Sequence, residues 1–185
     1  MNHLATSKED ILAASRDLIK ENGWAAVSIR AVASRCSVSA GTIYNYYESK
    51  ADLLSDTIES IWHEIFFHPE DEQVFHDVES CISWIYERLE YGNRQFPGFF
   101  SLHSFGFMRD EKTSGKKRMM KTWGHILNGL CEALGNDPKV RTDVFDQEFT
   151  EKKFADILFS LILVSMIRQD YDPSSVLMLV KKTLY

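Results

Sequence analysis

The sequence of residues 28–54 reads SIRAVASRCSVSAGTIYNYYESKADLL, and its hydrophobic spacing predicts two short helices joined by a tight turn. The first helix carries Ile29, Val32 and Ala33 on one face, and Ser39 opens the second helix about three residues after the first one ends. Two amphipathic helices joined in this way are typical of a helix-turn-helix.

One helix is predicted before this pattern and a longer helix after it. Residues 7–10 (Ser-Lys-Glu-Asp) fit a capping box, apolar residues follow at helical spacing from Ile11, and Gly23 is placed to end the helix. Residues 49–52 (Ser-Lys-Ala-Asp) fit a second capping box. The first fifty residues therefore predict three helices, followed by the start of a long fourth helix.

The second short helix of the pattern has side chains suited to a DNA groove. Ala40, Gly41 and Thr42 are small enough to let the helix approach base edges in a major groove. Other residues on this helix and at the neighbouring helix starts could contact bases, sugars and phosphates: Tyr44, Asn45, Tyr46, Tyr47, Ser28 and Lys50. The alternative is an ordinary helix with aromatic packing, and the pattern alone does not decide between the two.

Residues 10–54 resemble the DNA-binding head of TetR-family transcriptional regulators. The matching stretches are ILAA (11–14), GW (23–24), VSIRAVA (27–33), VSAGTIYNYY (38–47) and SKADLL (49–54). The resemblance covers about a quarter of the chain. It implies an all-α fold, in which an N-terminal three-helix helix-turn-helix head is followed by a helical ligand-binding and dimerisation domain.

The resemblance also implies roles for individual residues of the head. Ser28 and Arg30 would touch the DNA backbone or a neighbouring base, and Tyr44 and Lys50 would hold phosphates. The residues implied to face the groove are Ser39, Ala40, Gly41, Thr42, Asn45 and Tyr46.

Two residues depart from the family pattern. Ser37 stands in the turn where glycine is common, so we expect Ser37 to adopt a left-handed conformation at some energetic cost. Tyr47 stands where phenylalanine is usual, so we expect it to be a core aromatic residue.

Charge and aromatic residues divide the chain into two predicted domains, residues 1–50 and 51–185. The formal net charge is −6, but residues 1–50 hold six cations and five anions and carry +1, which leaves −7 for the remainder. All twelve phenylalanines lie beyond residue 50. A head with a net charge of +1 has a weak electrostatic attraction to DNA, so DNA contact must depend on where its cations lie.

The remainder of the chain shows only helical periodicity, with candidate helices over residues 49–67, 71–91, 98–108, 115–134, 148–169 and 172–185. The stretch over 154–167 is apolar nearly all round, and the final helix is apolar on more than one face. Burying such helices on every side favours a homodimer through these last two helices, which the family resemblance also implies. The alternative is a monomer with an unusually apolar core.

Aromatic residues and methionines concentrate in the middle of the second domain, where we expect a small hydrophobic or aromatic effector to bind. The candidate pocket residues are Phe99, Phe100, His103, Phe107, Met120, Trp123 and His125. The alternative is that these side chains only form core, since aromatic stripes at helical spacing usually do.

Catalytic and metal sites are not predicted. His63 and His68 are five residues apart and fall about 140° apart on a helix, so they cannot share a metal ion. The three cysteines form no CxxC pair and indicate a reducing compartment. Without a signal peptide, a membrane-length apolar segment or a cofactor motif, the sequence predicts a cytoplasmic protein that is not an enzyme and needs no cofactor.

The sequence therefore predicts a dimeric, ligand-responsive repressor that binds a roughly palindromic double-stranded DNA operator. A second possibility is a protein of the same fold that acts as a coactivator or protein-binding partner, which the weak charge of the head leaves open. A third possibility, a helical carrier of small hydrophobic molecules, would not explain residues 28–50.

Overall fold

The computed structural model describes residues 6–67, 76–100 and 114–185, with the backbone alone for 114–122. Within these ranges the chain forms eight α-helices, besides the helical residues Phe99 and Phe100, and no strand, which confirms the all-α prediction. The helices are α1 Lys8–Asn22, α2 Ile29–Arg35, α3 Ala40–Tyr44, α4 Lys50–Phe66, α5 Val78–Gln95, α6 Ser114–Asn136, α7 Glu151–Arg168 and α8 Ser174–Leu184.

The head forms as its local signals predict. The Ser7 side chain accepts from the Asp10 backbone amide while the Asp10 carboxylate accepts from the Ser7 amide, which confirms the capping box at the start of α1. Gly23, at φ 76°, ends the helix. Helices α1 to α3 pack with the start of α4 around a shared core whose members are fully buried: Ile11, Val32, Ile43 and Leu53.

The turn between α2 and α3 contains the expected left-handed serine. Ser37 has φ 56°, and the Val38 amide donates to the Ala33 carbonyl at 2.9 Å to close the turn. A left-handed residue with a Cβ costs about 1–2 kcal/mol relative to the right-handed form. Tyr47 is 4% exposed, which confirms its prediction as a core aromatic residue.

Ion pairs between α1 and α4 fasten the head to the long helix. The Glu64 carboxylate lies 2.6 Å from Lys20 Nζ and 3.1 Å from Arg16 Nε, and its side chain is mostly buried. At the first residue of α1, Lys8 Nζ lies 2.6 Å from the Asp56 carboxylate. Since all three ion pairs join α1 to α4, we expect a tilt of α4 to move the head as well.

Helix α5 extends four residues beyond the predicted end at Tyr91. Gly92 discourages a helix by local propensity, but here it is buried inside one. A Cβ on Gly92 would come within 2.6 Å of Ile65 Cδ1 and 3.0 Å of Phe100 Cζ, so glycine is needed for the approach of α4 and α5. The predicted end was wrong because this packing against α4 outweighs propensity.

The ends of the last two helices are set by side chains that the sequence prediction did not use. Thr150 caps α7 by accepting from the Lys153 amide, so the helix begins three residues after the predicted residue 148. Buried Asp137 accepts from the Val78 amide and the Tyr185 hydroxyl, which holds the end of α8 against the start of α5.

The predicted break at Phe96, Pro97 and Gly98 is present, with Gly98 at φ 79° and Phe99 starting a new helical turn. Most of the predicted helix over 98–108 lies outside the described residues. No helix in the described part of the chain is long and apolar enough to cross a bilayer.

Candidate nucleic-acid interface and effector region

Helix α3 is held in place by one buried residue and one cap. Ile43 is fully buried and anchors the helix in the head. Ser39 Oγ accepts from the Thr42 amide at 3.1 Å and lies 3.0 Å from Thr42 Oγ1, so the two hydroxyl groups are hydrogen-bonded to each other. The N-terminal end of α3 is thereby fixed before any partner binds.

The outward face of α3 presents the residues that were predicted to meet a DNA groove. The Tyr44 ring is 56% exposed, and Gly41 and Asn45 are also exposed. A Cβ on Gly41 would meet only Ser39 Oγ, at 3.5 Å, so the fold does not require glycine there. Ser39 is exposed, and Ala40 and Thr42 are half-buried along the same short helix. The structure therefore brings these predicted groove residues together on one surface.

Tyr46 follows the end of α3 by two residues and lies differently from the exposed residues of that helix. Its hydroxyl donates to the Thr6 carbonyl at 2.7 Å, and its half-buried ring packs against the core. The hydroxyl of Tyr46 is thus held inside the head, where it ties the chain before α1 to the recognition surface. A substitution of Tyr46 would disturb this packing as well as any DNA contact.

Four of the six cations in the head are paired with carboxylates. Lys8, Arg16 and Lys20 bind α4, and Arg35 Nη2 lies 2.5 Å from the Glu21 carboxylate. The hydrogen bond from Arg35 holds the pKa of Glu21 below its ordinary value. These four cations stabilise the head and its junction with α4, and they are already neutralised.

Arg30 and Lys50 make no ion pair with any residue in the described ranges, and both are exposed. Arg30 lies in the first turn of α2, whose cap is Ser28, and the Ser28 hydroxyl accepts from the Ala31 amide at 3.1 Å. Lys50 is the first residue of α4, directly after its cap Ser49. The two cations that remain available are therefore the two that were predicted to contact DNA.

Phe99 and Phe100 lie in a buried aromatic cluster that links three parts of the molecule. Trp62 of α4 packs on Phe99 at 5.1 Å and on Phe100 at 5.6 Å between ring centroids. Trp24, between α1 and α2, stacks on Phe99 at 5.7 Å. The cluster thus connects the predicted effector region to α4 and to the head. The sequence analysis used Trp24 only as part of the family resemblance and did not select Trp62, although Trp62 follows the helical spacing of the buried face of α4.

The other predicted pocket residues are not all in one place. His125 is exposed and stacks on Phe67 at 4.6 Å, while Trp123 packs edge-on against Phe159 of α7 at 5.7 Å. His103 and Phe107 lie outside the described residues, as does the side chain of Met120. The described ranges contain no group of three or more His, Cys, Asp or Glu residues that could hold a metal ion.

The sequence of the head matches known bacterial regulators. Residues 11–57 match the family model described as bacterial regulatory proteins, tetR family. The HTH-type transcriptional regulator UidR of Escherichia coli is 38% identical over 48 residues, which are 26% of this chain and 24% of UidR. The match therefore spans about a quarter of the length of this curated relative.

The whole fold matches solved structures at low sequence identity. A TetR transcription regulator from Haloarcula marismortui has a TM-score of 0.71 at 16% identity, covering 96% of this chain and 98% of that one. FadR from Bacillus subtilis in complex with stearoyl-CoA has a TM-score of 0.59 at 15% identity, covering 91% and 88%. SmeT, the repressor of a Stenotrophomonas maltophilia multidrug efflux pump, has a TM-score of 0.61 at 15% identity, covering 93% and 83%. These similarities establish the fold of the second domain as well as the head.

Proposed function

We propose that the protein is a dimeric, ligand-responsive repressor of transcription of the TetR family, because residues 11–57 match the model of that family and the head is similar to a curated regulator. Residues 1–50 form its DNA-binding domain, and residues 51–185 bind the effector and the second subunit. In each head α3 enters a major groove, where Ser39, Thr42 and Asn45 meet base edges. Its operator is a palindrome with half-sites about 34–36 Å apart, or a widened spacing.

The observation that carries this proposal is the distribution of charge in the head. Of the six cations in the head, Arg30 and Lys50 are the two without an ion pair to any described residue, and they lie at the starts of α2 and α4. Tyr44, on the helix between them in the chain, exposes 56% of its surface. Cations beside a helix of small polar residues can bind phosphates. These contacts fix the position of the protein on the duplex, so that the helix can contact the bases.

A second copy of the chain is the proposed partner of α7 and α8. Ile157, Val164 and Ile167 recur at helical spacing on α7, and each is at least 40% exposed. Met178 and Leu179 of α8 are also exposed, Met178 by 58%. Val164 borders a cleft of about 200 Å³ that includes Ser175 of α8, which joins the two helices into one surface. Clustered apolar side chains of this kind mark an interaction surface.

Effector control is proposed to act through α4. The helix starts at Lys50 beside the recognition surface and carries Trp62 into the aromatic cluster, while Lys8 and Glu64 take part in its ion pairs with α1. A bound effector that tilts α4 would move the head and change the distance between the two α3 helices. Only a difference in the affinity of the effector for the two spacings can drive this change.

Substitutions on α3 and at the start of α4 test the DNA contacts separately. We expect Thr42→Ala to weaken operator binding about tenfold or more while changing binding to unrelated DNA less than about twofold, since base contacts carry specificity. Lys50→Ala should weaken binding to both DNAs and make the slope of log affinity against log salt shallower by about 1.8 for a dimer. Fluorescence anisotropy on DNA upstream of the gene, at several salt concentrations, measures both effects.

Arg35→Ala is the matched control for Lys50→Ala, because Arg35 is a head cation already paired with Glu21. Its salt slope should stay that of the wild type. Equal losses on every DNA for Thr42→Ala and Lys50→Ala would rule out the assignment of α3 to the groove.

A further inference from the structure

Two buried hydrogen-bond donors in the aromatic cluster have no acceptor among the described residues. They are the Trp62 indole Nε1 and the Tyr171 hydroxyl. Trp62 is 3% exposed and its ring lies 5.6 Å from that of Phe100, while the Tyr171 ring lies 6.4 Å from the same Phe100 ring. Both donors therefore belong to one neighbourhood, formed by α4, the 96–100 segment and the connection between α7 and α8.

An unsatisfied buried donor costs about 1–3 kcal/mol, and native proteins satisfy such groups with protein, water or ligand acceptors. The surroundings of these two donors are apolar: Phe66, Phe99 and Phe100 are all buried within the cluster. Burial raises the pKa of Tyr171 to about 12, so the hydroxyl keeps its proton at physiological pH. Both groups are then neutral donors beside buried aromatic rings, with Trp62 buried and Tyr171 half-buried.

We propose that the effector is an apolar, mainly aromatic or aliphatic molecule whose uncharged oxygen accepts hydrogen bonds from Trp62 Nε1 and Tyr171 Oη. This inference rests on the proposed function and names the chemistry of its effector. A ketone, ester or amide oxygen fits, because both donors are uncharged and the rings beside them provide an apolar environment. A hydrocarbon of the same shape would leave both donors unsatisfied and bind more weakly.

Trp62 also provides a route by which binding of the effector would change the position of the DNA-binding head. The same indole packs on Phe66 at 5.7 Å within α4 and on Phe99, which in turn stacks on Trp24 of the head. A molecule that draws the indole toward its oxygen therefore acts on both α4 and the head. The Trp62 side chain would therefore both bind the effector and transmit its effect to α4.

The test compares 2-acetylnaphthalene with 2-ethylnaphthalene, which has a methylene group in place of the carbonyl, by calorimetry on the full chain. We expect the ketone to bind the wild type about tenfold more tightly or better, as one or two hydrogen bonds allow. Trp62→Phe and Tyr171→Phe each remove a donor and keep an aromatic ring, and each should reduce the preference to less than about threefold. Trp84→Phe is the control, because Trp84 packs edge-on against Phe66 and should keep the full preference.

Indole resonances in ¹⁵N–¹H spectra give a second readout that does not depend on affinity. The ketone should shift the Trp62 indole proton downfield as its hydrogen bond forms, whereas 2-ethylnaphthalene should not. The inference is overturned if neither probe binds, if both bind equally, or if the preference survives in Trp62→Phe and Tyr171→Phe. The same samples are titrated with the upstream DNA: retained DNA binding would confine the failure to the effector chemistry, and lost DNA binding in the wild type would reject the proposed function itself.

Discussion

The double substitution Ile167→Asp and Met178→Asp is expected to convert the protein into a monomer and lower operator affinity by about a hundredfold or more. Ile167 and Met178 are 44% and 58% exposed on α7 and α8, where a second copy would cover them. A carboxylate in a buried apolar interface must be desolvated without a partner, at a cost of several kcal/mol. Once the dimer is lost, the second head no longer binds as an intramolecular step, and that advantage is typically a factor of 10²–10⁴.

Sedimentation velocity measures the oligomeric state, and anisotropy with operator DNA measures the affinity. Arg94→Asp on α5 is the matched control, because it changes the net charge of the chain by the same −2 at an exposed site. It should remain dimeric and bind the operator as the wild type does. A double variant that is still a dimer with full affinity would show that α7 and α8 are not the interface.

Gly92→Ala should lower the free energy of unfolding by about 1–3 kcal/mol, the usual cost of overpacking a core. The new Cβ would lie 2.6 Å from Ile65 Cδ1 and 3.0 Å from Phe100 Cζ, and both of these side chains are buried with little room to move. Helix propensity works in the opposite direction, since alanine is favoured over glycine by up to about 1 kcal/mol in a helix. The steric cost exceeds this gain in helix propensity, because α4 and α5 would have to move apart to admit the new methyl group.

Urea denaturation measures this effect, with Gly124→Ala as the control. A Cβ on Gly124 of α6 would meet nothing within 4 Å, so this variant should be as stable as the wild type or more stable. Ile65→Val removes the atom nearest to the new Cβ and should recover part of the loss in the double variant with Gly92→Ala. If Gly92→Ala and Gly124→Ala changed stability alike, the described contact between α4 and α5 would be wrong.

The head could be predicted closely because its signals are local. The capping box at Ser7, the end of α1 at Gly23 and the left-handed Ser37 each depend on residues within a few positions in the sequence. The spacing of apolar residues also predicts that Val32 and Ile43 are buried, and this prediction does not depend on the rest of the fold. The resemblance to a known family added the expected DNA contacts but no geometry.

Features that depend on distant residues could not be predicted. The pairing of Lys20 with Glu64 joins residues 44 positions apart, and no sequence pattern shows that it neutralises a head cation. The hydrogen bond from Tyr46 to the Thr6 carbonyl likewise occupies a hydroxyl that the sequence predicted to be available to DNA. The predicted end of α5 was wrong for the same reason. Gly92 is required there by its close contact with Ile65, which helix propensity does not reveal.

The protein is proposed to bind a specific DNA sequence through α3, with Arg30 and Lys50 as the phosphate-binding cations. The most direct test is a competition titration of the wild-type protein on DNA upstream of its own gene, with excess unrelated DNA and a series of salt concentrations. Four available cations in a dimer predict binding that survives the competitor, with a slope of log affinity against log salt of about −3.6. Binding that unrelated DNA abolishes, or a slope near zero, would contradict the claim and favour a role in protein–protein interaction instead.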